Sequence, residues 1–558
     1  MSILGHCIYR FRKHPLFRAV FILGLTALIV FLFFYLSAVK ERPPVLTGIH
    51  PAVGEPGDVI TITGKNFGDS KATDSFVEIA GGKLSSSAYI SWTDTLIRAV
   101  LPYNVEDGLV YVQTKNGKSE AEIFANRQTL PVPIRHNPKT ALPFIASIDK
   151  KTMHVGALIT LRGGNFGNLR GSSRVFFTAG SAEGTKEKAL IPCSDFDADY
   201  HFWSDTELQV RIPDGADSGY VYVETDYGKS NGFDYSLASP PVTKTYTDLR
   251  TYSVKLSADI SDAQAEANAT LTLFIPLPRL TSTQRNVQIV ASNPEPSISG
   301  YLNTLVHRIN LNEIAGKKST FSHTFAVGIH GLHTQVDETK IKAYSEDTKK
   351  IYAAYLKNGP LIPSDNQSLR SLAASIVKKE KNPYRKAKLL YEWMLENIFV
   401  ESRVSASERD IADILRLKKA DAYEAAVLYT ALLRAEEIPA LTNAGILVDA
   451  DMQSRNHWWC EFYIEGAGWI PVDPALGAGL EYKSFQRQDS RAQFYFGSLD
   501  AQHITFSRGW NNIKPAHIAG KKVYRPKSYA LQSIWEETTA GTVKYSSYWQ
   551  DAAVTGVY

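Results

Sequence analysis

Asp421–Ala440 reads DAYEAAVLYTALLRAEEIPA, and His457–Gly477 reads HWWCEFYIEGAGWIPVDPALG. The first stretch opens on Asp421 with Glu424 three residues on. That is a capping box: Asp421 accepts from a free helical N–H, and Glu424 reaches back to the amide of residue 421. Ala425, Leu428, Leu432 and Ala435 then recur on one helical face, so a helix starts at Ala422 and buries that stripe. A thiol at such a helix head would be acidified by the dipole and the free N–H groups. Residue 422 is alanine. The second stretch reads as a strand over 457–464, a Gly-containing turn over 465–468 and a returning strand over 469–473. Because side chains alternate, His457 and Asp473 share a face only if the loop holds an odd number of residues. Pairing Tyr463 with Trp469 meets that condition and sets Asp473 across from Trp459, diagonal to His457. Gly466 and Gly468 can supply the bulge. The expectation is that His457 and Asp473 lie on one face within hydrogen-bond reach.

These residues resemble the transglutaminase-like superfamily. The matching positions are Glu424, Ala431-Leu432-Leu433-Arg434-Ala435, Ile438-Pro439-Ala440, His457, Trp459, Glu461, Tyr463, Gly466, Gly468-Trp469 and Val472-Asp473-Pro474. The resemblance covers roughly 246–540, and HITFSRG at 503–509 also looks like bacterial members. It implies a papain-like core over 350–540, with His457 as base and Asp473 as its orienter. Counting seventeen residues back from Pro439 puts the family's nucleophilic cysteine at Ala422. Cys460 lies three residues after His457 on the same strand and so points to the other face. The resemblance therefore implies a remnant site, because nucleophile and base act as a unit. Tyr423, Trp459 and Trp469 are candidates to line the groove. Trp458 and Trp510 fit a groove or a core equally well. A serine from elsewhere, or hydrolysis driven by His457 and Asp473 alone, stays open.

The first half repeats internally. PVLTGIHPAVGEPGDVITITGKNFG at 44–68 aligns with PFIASIDKKTMHVGALITLRGGNFG at 143–167, and GLVYVQTKNGKS from Gly108 aligns with GYVYVETDYGKS from Gly219. The second copy carries twelve extra residues, expected as a loop within 168–200. β-Branched runs with glycines at the turns predict small antiparallel sandwiches. Both copies, over 44–126 and 143–236, resemble the immunoglobulin-like IPT/TIG family, which implies spacer modules or modules that contact protein or glycan. Asn66 and Asn165 read as turn formers. Pro240-Pro241 marks a break, and 246–345 alternates as a third β-sandwich. Ala387, Leu390, Tyr391, Met394 and Ile398 then recur at helical spacing behind Asn382-Pro383. The fold class expected is multidomain, mainly β plus α+β, ending in a C-terminal tail over 541–558.

At roughly 100–200 residues per domain, 558 residues make about three to five domains. Three cysteines exclude a disulfide scaffold. Arg10, Arg12, Lys13 and Arg18 account for the whole net charge of +4, and this neutral body argues against a nucleic-acid partner. Ala19–Val39 is an uncharged apolar run of a length that spans a bilayer. The charge asymmetry predicts a single-pass chain of a bacterial envelope, with the cytoplasmic tail at 1–18 and residues 40–558 outside; the alternative is a long cleaved signal. Cys193 and Cys460 are expected as isolated buried thiols, although a disulfide between them stays open. The histidines show no metal-ligand spacing, so neither metal nor cofactor is expected. The composite expectation is a non-catalytic transglutaminase-like domain on an IPT/TIG stalk, binding a protein or peptide in the envelope. Its rivals are a cysteine-independent hydrolase or transamidase, and a structural envelope protein.

Overall fold

A computed structural model describes residues 15–16, 19, 23–28, 42–129, 142–180, 189–238, 240–265, 269–405, 409–509, 516–518, 521–523, 527–530, 534–538 and 543–558. The chain divides into two compact units, Met1–Arg135 and His136–Tyr558. Among the described residues no helix is long and apolar enough to cross a membrane. This corrects the expected single-pass topology with its cytoplasmic tail. Of the run 19–39, residue 19 and the helical 23–28 lie inside the described residues.

In the first unit Val45–His50, Val59–Lys65, Leu96–Val100 and Tyr89–Trp92 form one sheet. A second sheet is built around Phe76–Ile79, Gly108–Thr114 and Glu122–Asn126. Alternation in VITIT turns Ile60 and Ile62 inward onto Val77, Ile97, Val110 and Phe124. The second copy repeats this strand order from Phe144–Ile148 to Phe233–Leu237. The repeated motif is mechanical in both copies. Asn66 and Asn165 take positive φ and donate Nδ2 to the carbonyls of Pro43 and Leu142 at 3.1 and 3.2 Å. At Gly64 and Gly163 a Cβ would fall 2.0 and 1.9 Å from a carbonyl oxygen of the neighbouring strand, so only glycine fits. Of the loop expected to hold the extra residues, 181–188 lies outside the described residues.

The third sandwich stacks two sheets. In the first, β1 (Val242–Ala265) pairs with β5 (Ser319–Val336), which pairs with β3 (Gln284–Asn293). In the second, β2 (Thr270–Pro276) pairs with β4 (Thr304–Asn310). The core domain follows. Asn382 caps α1 (Pro383–Asn397), which buries Ala387, Leu390, Tyr391 and Met394. Helix α2 (Ala422–Ala435) packs on a four-stranded sheet of β6 (Ala440–Val448), β7 (Ser454–Ile464), β8 (Gly468–Val472) and β9 (His503–Arg508), in the order β8-β7-β6-β9. The end of the chain is no tail. β10 (Trp535–Thr538) joins β2, while β11 (Val543–Trp549) and β12 (Ala553–Val557) both pair with β1. The reason lies in β1, whose length leaves an open edge, and an unpaired edge requires partners.

Candidate functional site

The head of α2 is built by its own first turn. Asp421 Oδ1 accepts from the Glu424 amide at 2.9 Å, and Glu424 Oε2 accepts from the Asp421 amide at 3.0 Å. Two cations close the box. Arg409 Nη2 lies 2.6 Å from Glu424 Oε2, and Lys527 Nζ lies 2.6 Å from Asp421 Oδ2 and 3.2 Å from Glu424 Oε1. Burial pushes the Glu424 carboxyl up, but Arg409, the Asp421 amide and Lys527 outweigh it and hold the group ionised below its ordinary range. Ala422 presents a buried methyl at this helix head, and a methyl group cannot attack a carbonyl.

On the sheet, Tyr463 pairs with Trp469, and Gly466 and Gly468 take the positive φ of the turn. His457 Nε2 lies 2.6 Å from Asp473 Oδ2. A carboxylate only accepts, so Nε2 carries the hydrogen and Nδ1 of a neutral His457 carries the lone pair. Asp473 Oδ1 accepts from the Leu476 amide at 2.8 Å and caps the short helix Pro474–Gly477. A second imidazole shares the carboxylate. His503 Nε2 lies 3.1 Å from the same Oδ2, and its Nδ1 lies 2.9 Å from Asp500 Oδ1. Asp500 is itself held by the hydroxyls of Tyr495 and Tyr482. Burial opposes the charged form of His503, yet Asp500 and Asp473 outweigh it and raise the ring to about 9. Burial likewise pushes Asp473 up, but His457 and His503 hold it well below the usual carboxylate range. The result is an imidazolium clamped between two carboxylates, with His457 on the outer side of one of them.

His457, Asp473 and His503 offer three donor atoms within 4.8 Å of one another. Both ring nitrogens of His503 are spent on Asp473 and Asp500, so an ion bound here would have to displace a ring proton. Sequence reasoning missed His503 and Asp500. The stretch HITFSRG was matched as a family motif, but nothing in it announces a bond to a residue thirty positions earlier.

The three groove candidates are all buried, and they do not line one open groove. Tyr423 meets Trp458 edge to face at 5.7 Å, under Lys527. Trp459 stacks on His457 and meets His503 edge-on at 5.1 Å. Trp469 packs among Tyr352, Tyr355 and Tyr463 and donates Nε1 to Asp197 of the second repeat at 3.1 Å. Trp459 and Trp469 do border a common void of about 10 Å³, room for one water molecule at most. Trp510 lies outside the described residues. Cys460 points away from His457 into α2, where its Sγ donates to the Ala426 carbonyl at 3.1 Å, and burial pushes its thiol up. Cys193 and Cys460 are unbonded.

Residues 370–474 match the transglutaminase-like superfamily, and residues 44–130 match the IPT/TIG domain. An uncharacterised protein of Haemophilus influenzae is 28% identical over 193 residues, which are 29% of this chain and 51% of that protein. A cyclomaltodextrin glucanotransferase of Paenibacillus macerans is 35% identical over 81 residues, 14% of this chain and 11% of the enzyme. The chain thus spans about half or less of the length of the curated relatives it matches. The periplasmic domain of TgpA from Pseudomonas aeruginosa is 14% identical with a TM-score of 0.23, covering 40% of this chain and 86% of that one. At that score the likeness supports no statement about activity. The family matches, the capped helix and the paired sheet together establish that the chain carries a transglutaminase-like domain and an IPT/TIG domain.

Proposed function

We propose that the transglutaminase-like domain is a non-catalytic module that binds a protein or peptide, with the repeated β modules as its spacer. In this reading His457 and Asp473 are the retained base and orienter of an active site whose nucleophile position is Ala422. One observation supports it most: a methyl group stands at the head of α2, while Cys460 is hydrogen-bonded into the opposite side of the sheet. A base with no thiol to deprotonate cannot form an acyl intermediate. The test is amine incorporation and peptide cleavage by the full chain beside its His457→Ala variant. Equal, background-level rates are expected. Turnover that His457→Ala abolishes would overturn the reading.

A second reading, a purely structural domain, is favoured by the burial of His457, Tyr423, Trp459 and Trp469 and by the void of only about 10 Å³ between Trp459 and Trp469. An Ala422→Cys variant separates the two. Labelling of the new thiol by iodoacetamide in the folded chain supports an accessible groove, and protection until denaturation supports a sealed one.

A further inference from the structure

Strand β3 closes one end of its sheet. It pairs with β5, and among the described residues no strand lies along its outer side. The outward N–H and C=O groups of such a strand are a template for another chain. Sheets commonly blunt these edges with lysine or proline. β11, at the other end of this sheet, carries Lys544, and β8, at the edge of the core sheet, carries Pro471. Asn286–Asn293 reads NVQIVASN, with neither a charge nor a proline. Ile289 and Val290 on it are 44% and 63% exposed.

Two bulges set the length of the open run. The register against β5 is regular over Asn286–Ile289 and shifts on both sides of it, between Gln284 and Asn286 and between Ile289 and Ala291. A bulge ends a pairing. A short extended segment fits between the two, whereas a long strand, such as β3 of a second copy, meets both.

The inner face of the same run borders a cavity. Val287 pairs with buried Val327 and Ile289 with buried Phe325, so both point to the inner side of the sheet. There they line about 440 Å³ of space where the second β repeat, the third sandwich and the core sheet meet. Leu277, Pro278 and Leu280, on the connection from β2 to β3, extend this aliphatic wall. Cross-strand partners share a face. A segment added to β3 therefore aims the side chains opposite Val287 and Ile289, about 7 Å apart, into the cavity. On the far wall Arg508 is shared between Asp197 Oδ1 and Glu461 Oε2, at 2.7 Å from each. That sharing disfavours a further carboxylate and leaves the aliphatic wall to choose the guest. The mouth is also fixed. Gln284, fully buried, donates to the carbonyls of Arg279 and Thr505 at 2.7 and 2.9 Å and accepts from the Thr505 amide at 2.9 Å. The start of β3 is thus tied to β9, and an incoming segment finds its partners already positioned.

We propose that a short extended peptide adds to the outer edge of β3 over Asn286–Ile289, with its main chain completing the ladder and two alternate aliphatic side chains entering the cavity. This rests on the reading of the chain as a peptide binder, but it puts the contact on the third sandwich, away from His457.

The probe is fluorescein-labelled Thr-Leu-Thr-Leu-Thr amide, followed by anisotropy and by hydrogen–deuterium exchange on the full chain. Binding is expected to slow exchange over 286–289. A counterpart N-methylated at every residue cannot donate to the ladder, and one with glutamates in place of leucines cannot use the aliphatic wall. Each is expected to bind at least tenfold more weakly. Ile289→Lys, which places an inward charge on the edge, and Leu280→Trp, which fills part of the cavity and leaves the ladder intact, are each expected to weaken the parent peptide at least tenfold. No binding, equal affinity of the N-methylated or glutamate peptide, protection that leaves 286–293 unmoved, or affinity unchanged by both variants would each overturn the proposal. So would a dimer of the full chain in sedimentation that Ile289→Lys dissolves, since that edge would then be filled by a second copy. Failure here leaves the turnover comparison with His457→Ala untouched, so the two readings stand or fall separately.

Discussion

Asp473→Asn tests the network beside His457 most sharply. The asparagine keeps the shape and the oxygen that caps Pro474–Gly477 at Leu476, but it removes the charge that faces two imidazoles at 2.6 and 3.1 Å. His503 stands at about 9 in the folded chain, against about 6.5 when unfolded. At about 1.4 kcal/mol per pH unit, that difference contributes roughly 3 kcal/mol to stability. A histidine raised on folding gives its full contribution below the unfolded value and loses it as the pH rises through the folded value. Breaking a buried pair from one side costs about 3–5 kcal/mol, so Asp473→Asn is expected to lose about 3–4 kcal/mol at pH 6. The loss should shrink toward pH 9.5, where His503 of the parent chain has also given up its proton. Urea unfolding followed by tryptophan fluorescence reads this directly, because Trp459 touches both imidazoles. A loss below about 1 kcal/mol at pH 6, or one of equal size at pH 6 and 9.5, would refute the clamped-imidazolium account.

Three other outcomes follow from equally local geometry. In the sandwich His307 Nε2 and His323 Nε2 lie 2.9 Å apart, and burial, with mutual repulsion at His307, lowers both rings to about 4. Their contribution is complete above the unfolded value and is lost as the pH falls from about 6.5 through 4, roughly 2 kcal/mol per ring at pH 5; His323→Gln should flatten that acid limb in a series of urea melts. Glu424→Gln strips the charge that Arg409 and Lys527 neutralise at the head of α2, and it should cost about 2–3 kcal/mol in chemical denaturation at pH 7. Gly445→Ala places a Cβ 1.9 Å from the Ile504 carbonyl oxygen, so β6 and β9 must part, and thermal unfolding should register a loss of about 3 kcal/mol.

What the sequence disclosed follows the range of the physics involved. The helix start at Ala422 depended on Asp421 and Glu424, three residues apart, and the pairing of Tyr463 with Trp469 depended on alternation across a short loop. Both are nearest-neighbour problems that residue types solve. The Asn66 and Asn165 turns were legible for the same reason. VKYSSYW at 543–549 alternates as a strand should, but its partner β1 begins three hundred residues earlier, and no local pattern names a partner. The groove failed differently. Aromatics at 423, 459 and 469 are equally good at lining a cleft and at filling one, and only the three-dimensional packing separates these outcomes.

The same distinction bears on where a ligand would sit. At the head of α2 the Asp421–Glu424 box is paired with Lys527 and Arg409, and the space beside Trp459 and His503 admits a single water at most. Charge is locally satisfied there: every carboxylate of the His457 network has a cation or a hydroxyl against it.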